Sequence, residues 1–198
     1  MSASESCPLF VDIRKEDFDI GLEISRLTNE RSNIGAVVSF TGLCRDENGK
    51  LSALELEHYP GMAKSQITQI AKSAMQRWSL SGVTVIHRYG LIRPGENIVL
   101  VVTSSTHRVA AFDAASFLMD FLKTNAPFWK REHLTNQEQG GWVEAREEDQ
   151  LRLDRWRQHQ CQRRAHPGPG SPPFPEPAAL RYAGGGQLYQ RGAEVHGG

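Results

Sequence analysis

Over roughly the first 160 residues, the spacing of apolar positions switches repeatedly between the period of a strand and that of a helix. Leu9, Val11 and Ile13 alternate as a short strand, and Ile20, Ile24 and Leu27 then recur at helical spacing. Ile34 to Phe40 is apolar and rich in β-branched residues until Thr41-Gly42 breaks the run, so it reads as a strand. Leu54, Leu56 and His58 alternate with Glu55, Glu57 and Tyr59 as another. After the turn signal Pro60-Gly61, the residues Met62, Ile67, Ile70, Ala71, Ala74, Met75 and Trp78 form one face of a long helix that closes at Ser81-Gly82.

Val83 to Tyr89 and Asn97 to Thr103 flank the turn Arg93-Pro94-Gly95-Glu96. Their unbroken apolar runs predict strands buried on both faces, in the middle of a sheet. Thr106 is placed to cap a helix running to about Thr124, with Phe112, Ala115, Met119 and Leu122 on one face. Pro127 ends it, because a residue before proline avoids the α region. Phe128 to Leu134 and Trp142 to Ala145 read as strands, and Glu147 to His159 as a charged terminal helix. No internal repeat is found, and the pattern predicts an α+β fold with a mixed, mainly antiparallel sheet and packed helices.

Composition divides the chain into a domain at 1–160 and a tail at 161–198. From Ala165 the sequence turns to proline and glycine, with Gly184-Gly185-Gly186 later and a terminal Gly197-Gly198, so the tail is expected to be disordered. The 39% hydrophobic content suffices for one core. With 23 basic and 23 acidic residues no overall field draws the chain to nucleic acid or a membrane surface. Arg152, Arg155 and Arg157 are interleaved with Glu147, Glu148 and Asp154, which argues further against a nucleic-acid module. Cys7, Cys44 and Cys161 are odd in number and lack CxxC spacing, and His58 and His87 lack ligand spacing, so neither a disulfide framework nor a metal centre is expected. The first residues carry no basic run followed by an apolar stretch, which predicts a cytoplasmic, unexported protein.

Chemistry concentrates in Lys123 to Glu132, where Phe128 and Trp129 lie among Lys123, Lys130, Arg131 and Glu132. On a helix, Lys123 shares a face with Phe112, Ser116 and Met119. Its stem would then follow an apolar surface and its amine end in a partly buried pocket beside a second cation, Lys130. An amine so placed acts as a nucleophile or general base. The alternative stays open on spacing alone, because a lysine near a helix C-terminus also complements the macrodipole and strand lysines often face solvent. His107 and Arg108 follow Ser104-Ser105-Thr106 at a strand-to-helix junction, where free N–H groups and cations suit a phosphate, or simply make a capped helix. Arg45, after Thr41-Gly42-Leu43-Cys44, offers another anion contact or a local ion pair with Asp46 or Glu47. Cys44 is given no role.

Taken together, Phe40-Thr41-Gly42 with Arg45, Leu56 to Met62, Val85-Ile86-His87-Arg88, Ser105-Thr106-His107-Arg108 and Leu122 through Glu132 resemble the molybdopterin synthase catalytic subunit family in order and spacing. The resemblance runs from about Phe10 to Arg157 and does not reach the tail. It implies an α/β-hammerhead fold, no cofactor, and a homodimer that binds two small ubiquitin-like sulfur-carrier subunits as a heterotetramer. It also implies a reaction: two sulfurs pass from the partner's C-terminal Gly-Gly thiocarboxylate to cyclic pyranopterin monophosphate, forming the dithiolene of molybdopterin. By position it implies Lys123 and Lys130 as the catalytic lysines, and Arg45, His107, Arg108, Lys123, Lys130, Arg131 and Glu132 as substrate-binding residues. Leu43 is a departure, since a basic residue can stand there in relatives. The alternative from another class is a non-catalytic scaffold that binds the ubiquitin-like partner.

One consequence is geometric. At about 1.5 Å of rise per residue, a continuous helix sets His107 and Lys123 roughly 24 Å apart, too far for both to grip one pterin. The expectation is a pocket shared between protomers, with His107 and Arg108 supplied by the twofold mate.

Overall fold

The structure, a computed structural model, describes residues 7–46, 49–59, 61–135, 139–143 and 156. Among these residues the elements run in the order β1 (Leu9–Arg14), α1 (Ile20–Thr28), β2 (Ala36–Leu43), β3 (Leu51–His58), α2 (Met62–Trp78), β4 (Gly82–Arg88), β5 (Gly90–Ile92), β6 (Asn97–Ser105), α3 (Arg108–Thr124), β7 (Phe128–Leu134) and β8 (Gln139–Val143). The α+β class is as expected, and its strands are divided between two four-stranded sheets.

The main sheet runs β1-β4-β6-β2, with β1 parallel to β4 and the other pairs antiparallel. β4 and β6 are its central strands, and every residue of β4 is buried, as their apolar runs predict. On one face Val83, Val85, Val99 and Val101 pack against Ile67, Ile70, Ala74, Phe117 and Leu118 of α2 and α3. On the other, Ile86, Leu100 and Val102 pack against Leu27 and Phe18, on and just before α1. The strand period of two therefore feeds two cores from each central strand. Asp19 caps α1, its carboxylate accepting the Leu22 N–H at 2.9 Å.

The second sheet, β5-β3-β7-β8, is wholly antiparallel. It arises because the chain leaves the main sheet at Gly90, whose φ of 86° is a left-handed value that disfavours a side chain. Gly90, Leu91 and Ile92 pair with β3 as β5, a short strand that the sequence pattern does not reveal. β2 likewise runs through Thr41-Gly42 to Leu43, with a register shift at Gly42/Leu43 in place of a break at Thr41.

α3 begins at Arg108, with His107 at the cap position and no side-chain cap; Thr106 does not fill that role. β6 continues to Ser105, whose hydroxyl accepts the His107 N–H at 3.4 Å, so the helix starts one residue later than expected. Gly35 is packed against this junction: a Cβ there would lie 2.3 Å from the Thr106 carbonyl oxygen. Of the strand expected at Trp142–Ala145, β8 covers Trp142 and Val143. Of the expected terminal helix only Trp156 is described, helical and buried; the rest of it and the tail at 161–198 lie outside the described residues.

Candidate active site

The last turn of α3 and the strand after it are joined by only three residues, Asn125 to Pro127. Asn125 N–H donates to the Phe121 carbonyl at 2.8 Å and Phe128 N–H to the Ala126 carbonyl at 2.8 Å, so the link is closed by backbone bonds at both ends. α3 is held by Ala111, Ala114, Phe117, Leu118 and Leu122, all buried against the main sheet and α2. Lys123 is exposed in the last turn, in contrast to the partly buried amine expected from its helix face.

β7 sorts its charged residues by alternation. Phe128 stands opposite His58, Lys130 opposite Leu56, and Glu132 opposite Leu54, so these six share one face of the second sheet. Leu56 is 1% exposed and belongs to the small core of Cys44 and Ile92, which identifies this face as the inner one. Lys130 and Glu132 are both half-buried there. The intervening residues Trp129, Arg131 and His133 face the other way, together with Glu55 and Glu57. On that outer face the Glu55 carboxylate takes His133 Nε2 at 2.9 Å and Arg131 at 3.9 Å. The structure therefore brings Lys130 and Glu132 together and sends Arg131 to the opposite side of the strand.

Arg45, exposed, leaves the fold beside the inner face. Its neighbour Cys44 is buried among Leu56 and Ile92 and fixed by backbone bonds with Gly95 and Glu96 at 2.8 and 2.9 Å. Burial pushes the Cys44 thiol up, outweighing the Leu54 N–H that would lower it, and the carboxylates of Glu96, Asp46 and Glu132 push the same way. A thiol held protonated is a poor nucleophile, consistent with giving it no role. Asp46 accepts the Lys50 and Leu51 N–H groups at 3.0 Å each, which organises the loop.

His107, Arg108 and the neighbouring Val109 are exposed at the opposite end of α3. The helix is continuous from Arg108 to Thr124, so about 24 Å of axis separates His107 from Lys123 within one chain. No group of three or more metal-ligating side chains occurs among the described residues.

The sequence shows of His58 and His87 only that they lack metal-ligand spacing, yet both lie behind this site. His87, on β4, is buried, and its Nδ1 lies 2.8 Å from the Arg88 carbonyl; because a carbonyl only accepts, Nδ1 carries the proton. Burial lowers its pKa to about 4, against the raising effect of the Arg88 carbonyl and with further lowering from Lys130 and His58. Its ring stacks on Phe128 with centroids 3.7 Å apart and planes 13° apart. His58 packs on Tyr89 and Phe128 at 4.6 and 5.9 Å, and its buried Nδ1 has no hydrogen-bond partner among the described residues. The available signal was three strand-end aromatics, His58, Tyr89 and Phe128, but nothing local brings them together.

The family model described as MoaE protein matches residues 13–125. The molybdopterin synthase catalytic subunit of Brucella melitensis is 63% identical over 156 residues, which are 79% of this chain and 96% of that protein. A solved molybdopterin biosynthesis MoaE protein from Burkholderia ambifaria superposes with a TM-score of 0.64 at 41% identity, over 75% of this chain and 97% of that one. A Helicobacter pylori chain shares the fold at 21% identity, with a TM-score of 0.55 over 67% of this chain and 88% of that one. Its structure is described as a protein–protein complex of subunits 1 and 2 of molybdopterin-converting factor. Sequence identity at this level over nearly the whole of a relative, on the same fold, means that the chain belongs to the MoaE protein family, the catalytic subunits of molybdopterin synthase, sulfurtransferases of molybdenum cofactor biosynthesis.

Proposed function

We propose that Lys123, Lys130, Glu132 and Arg45 of one protomer, with His107 and Arg108 of a second copy, form a pocket for cyclic pyranopterin monophosphate. There a small ubiquitin-like partner presents its C-terminal Gly-Gly thiocarboxylate. The observation that carries this reading is the placement of Lys130 and Glu132 on the inner face of β7, beside the Arg45 loop and one short link from Lys123. The separation of His107 and Arg108 from Lys123 along a rigid helix supports assigning them to a second copy. β2 adds to that support as the edge strand of the main sheet. Its Phe40 and Leu43 are exposed, as are Val109 and Phe112 of α3, leaving an apolar border for another subunit.

In this pocket the phosphate is held by charge-assisted hydrogen bonds from Arg45, His107 and Arg108, which fix the pterin before sulfur adds. Lys123 serves the reacting centre, by moving a proton or by stabilising the charge that develops as the thiocarboxylate sulfur attacks. Lys130, half-buried beside Glu132, places a second positive charge where the anionic sulfur donor and substrate meet. The small partner is supported by the Helicobacter pylori chain of the same fold having been solved as a two-subunit complex. Among the described residues no helix is long and apolar enough to cross a membrane, and a cytoplasmic location suits a biosynthetic enzyme of this kind.

The test is turnover of cyclic pyranopterin monophosphate with thiocarboxylated small subunit, followed by assay of the dithiolene product. Lys123→Ala is expected to abolish product while partner binding stays near wild type, since one exposed amine contributes little docking area. Partner binding without turnover by the unaltered protein would instead favour the scaffold reading.

A further inference from the structure

We propose that His87 is a positioning residue for Lys130, its ring forming a platform on the main sheet against which Phe128 seats the start of β7. The inference rests on reading Lys130 as an active-site residue. β7 belongs to the second sheet, whereas α3, which delivers the chain to it, is packed on the main sheet. Something must fix the first residue of β7 relative to both, and Phe128 is that residue. Its ring lies flat on His87 at 3.7 Å, with His58 of the paired strand against it at 5.9 Å. Lys130 follows two residues later on the same face, about 6.8 Å along an antiparallel strand. A shift of Phe128 therefore moves the Lys130 backbone with it, and so the base from which the lysine side chain extends.

The imidazole suits this task in ways that other side chains do not. Its Nδ1–H is committed to the Arg88 carbonyl at 2.8 Å, which fixes the plane of the ring. Arg88 is itself tied down, donating to the Lys15 carbonyl at 3.0 Å and the Asn97 carbonyl at 2.8 Å. The platform is thus anchored in the central strand of the main sheet, in Lys15 just after β1 and in Asn97 at the start of β6. Burial keeps the ring neutral until the pH approaches about 4, so the platform adds no positive charge beside Lys130. An asparagine would keep the donor and lose the flat surface; a phenylalanine would keep the surface and lose the bond that orients it.

The test compares His87→Asn, His87→Phe and Phe128→Leu with the unaltered protein in turnover with thiocarboxylated small subunit. The lysines are also followed by carbon-13 NMR after reductive dimethylation, with the Lys130 signal assigned through Lys130→Arg. The expected result is that His87→Asn and Phe128→Leu each lower kcat about ten-fold, with KM for the pterin substrate within about two-fold. His87→Phe is expected to lie closer to wild type, and the Lys130 signal to move in the two impaired variants while that of Lys123 does not. An unmoved Lys130 signal, an unchanged kcat in Phe128→Leu, or a His87→Phe protein worse than His87→Asn would each overturn the proposal. Full turnover by Lys130→Ala would remove the reading of Lys130 on which it stands, an outcome separable from those because it does not involve His87. Should His87→Asn fail to fold, Phe128→Leu carries the test alone, since Phe128 is only half-buried on a peripheral sheet.

Discussion

The Trp156 indole N–H donates to the Asp120 side chain at 2.7 Å, a buried hydrogen bond that ties a residue far along the chain to the penultimate turn of α3. Around it Trp156 meets Trp78 and Phe117 edge to face at 5.6 and 5.7 Å, and the Arg77 guanidinium lies 4.6 Å from the Trp78 ring centre and 5.4 Å from that of Trp156. Trp156→Phe keeps most of the apolar contact but removes the donor to a buried carboxyl group, so a loss of about 1–3 kcal/mol is expected. Trp156→Ala, which also opens a cavity, is expected to cost about 3–5 kcal/mol. Urea unfolding of the two variants checks this, and a Trp156→Phe protein as stable as the unaltered one would mean that the hydrogen bond contributes nothing.

His87 makes stability depend on pH. Its pKa falls from 6.5 to about 4 on folding, so between those values the unfolded chain binds a proton that the native state refuses. Stability is therefore full above about pH 6.5 and is lost progressively as the pH falls toward 4. At about 1.4 kcal/mol per pKa unit this amounts to roughly 3 kcal/mol. His87→Asn is expected to flatten that part of the profile, measured as unfolding free energy at several pH values across the interval. A profile equally steep with and without His87 would assign the acid sensitivity to other groups.

Strand alternation separates two neighbouring residues that the family resemblance groups together. Glu132 faces inward with Lys130, whereas Arg131 faces outward to Glu55. Glu132→Gln is expected to depress turnover at least ten-fold, and Arg131→Ala to leave kcat and KM within about three-fold of wild type, because Arg131 faces away from Lys130 and its half-buried ion pair with Glu55 is long, at 3.9 Å. Steady-state kinetics of the two variants decide it. A large rise in KM for Arg131→Ala would place that side chain in a pocket completed by another chain.

The central strands were legible in the sequence because their apolar runs need no tertiary context: Val83 to Tyr89 and Asn97 to Thr103 read as doubly buried, and Val83 to Arg88 and Val99 to Thr103 are so. The long helices were legible for the same reason, through the spacing of Ile67, Ile70 and Ala74 and of Ala115, Met119 and Leu122. β5 was not, since three residues hold no period and its pairing is set by the left-handed bend at Gly90. The exposure of Lys123 escaped a helical-face argument because that argument ranks faces but does not say how far a neighbouring layer extends. The His87–Phe128 stack joins strands 40 residues apart in different sheets, and no local pattern encodes such a contact.

The shared pocket is tested most directly by mixing two inactive proteins, Lys123→Ala and Arg108→Ala, under conditions that exchange subunits, and assaying dithiolene formation with the thiocarboxylated small subunit. In a mixed dimer one pocket carries both lesions and the other neither. If half of the dimers are mixed, activity is expected to return to about a quarter of wild type per site. Mixed dimers verified by mass spectrometry that remain inactive would contradict the account and show that each pocket is built within a single chain.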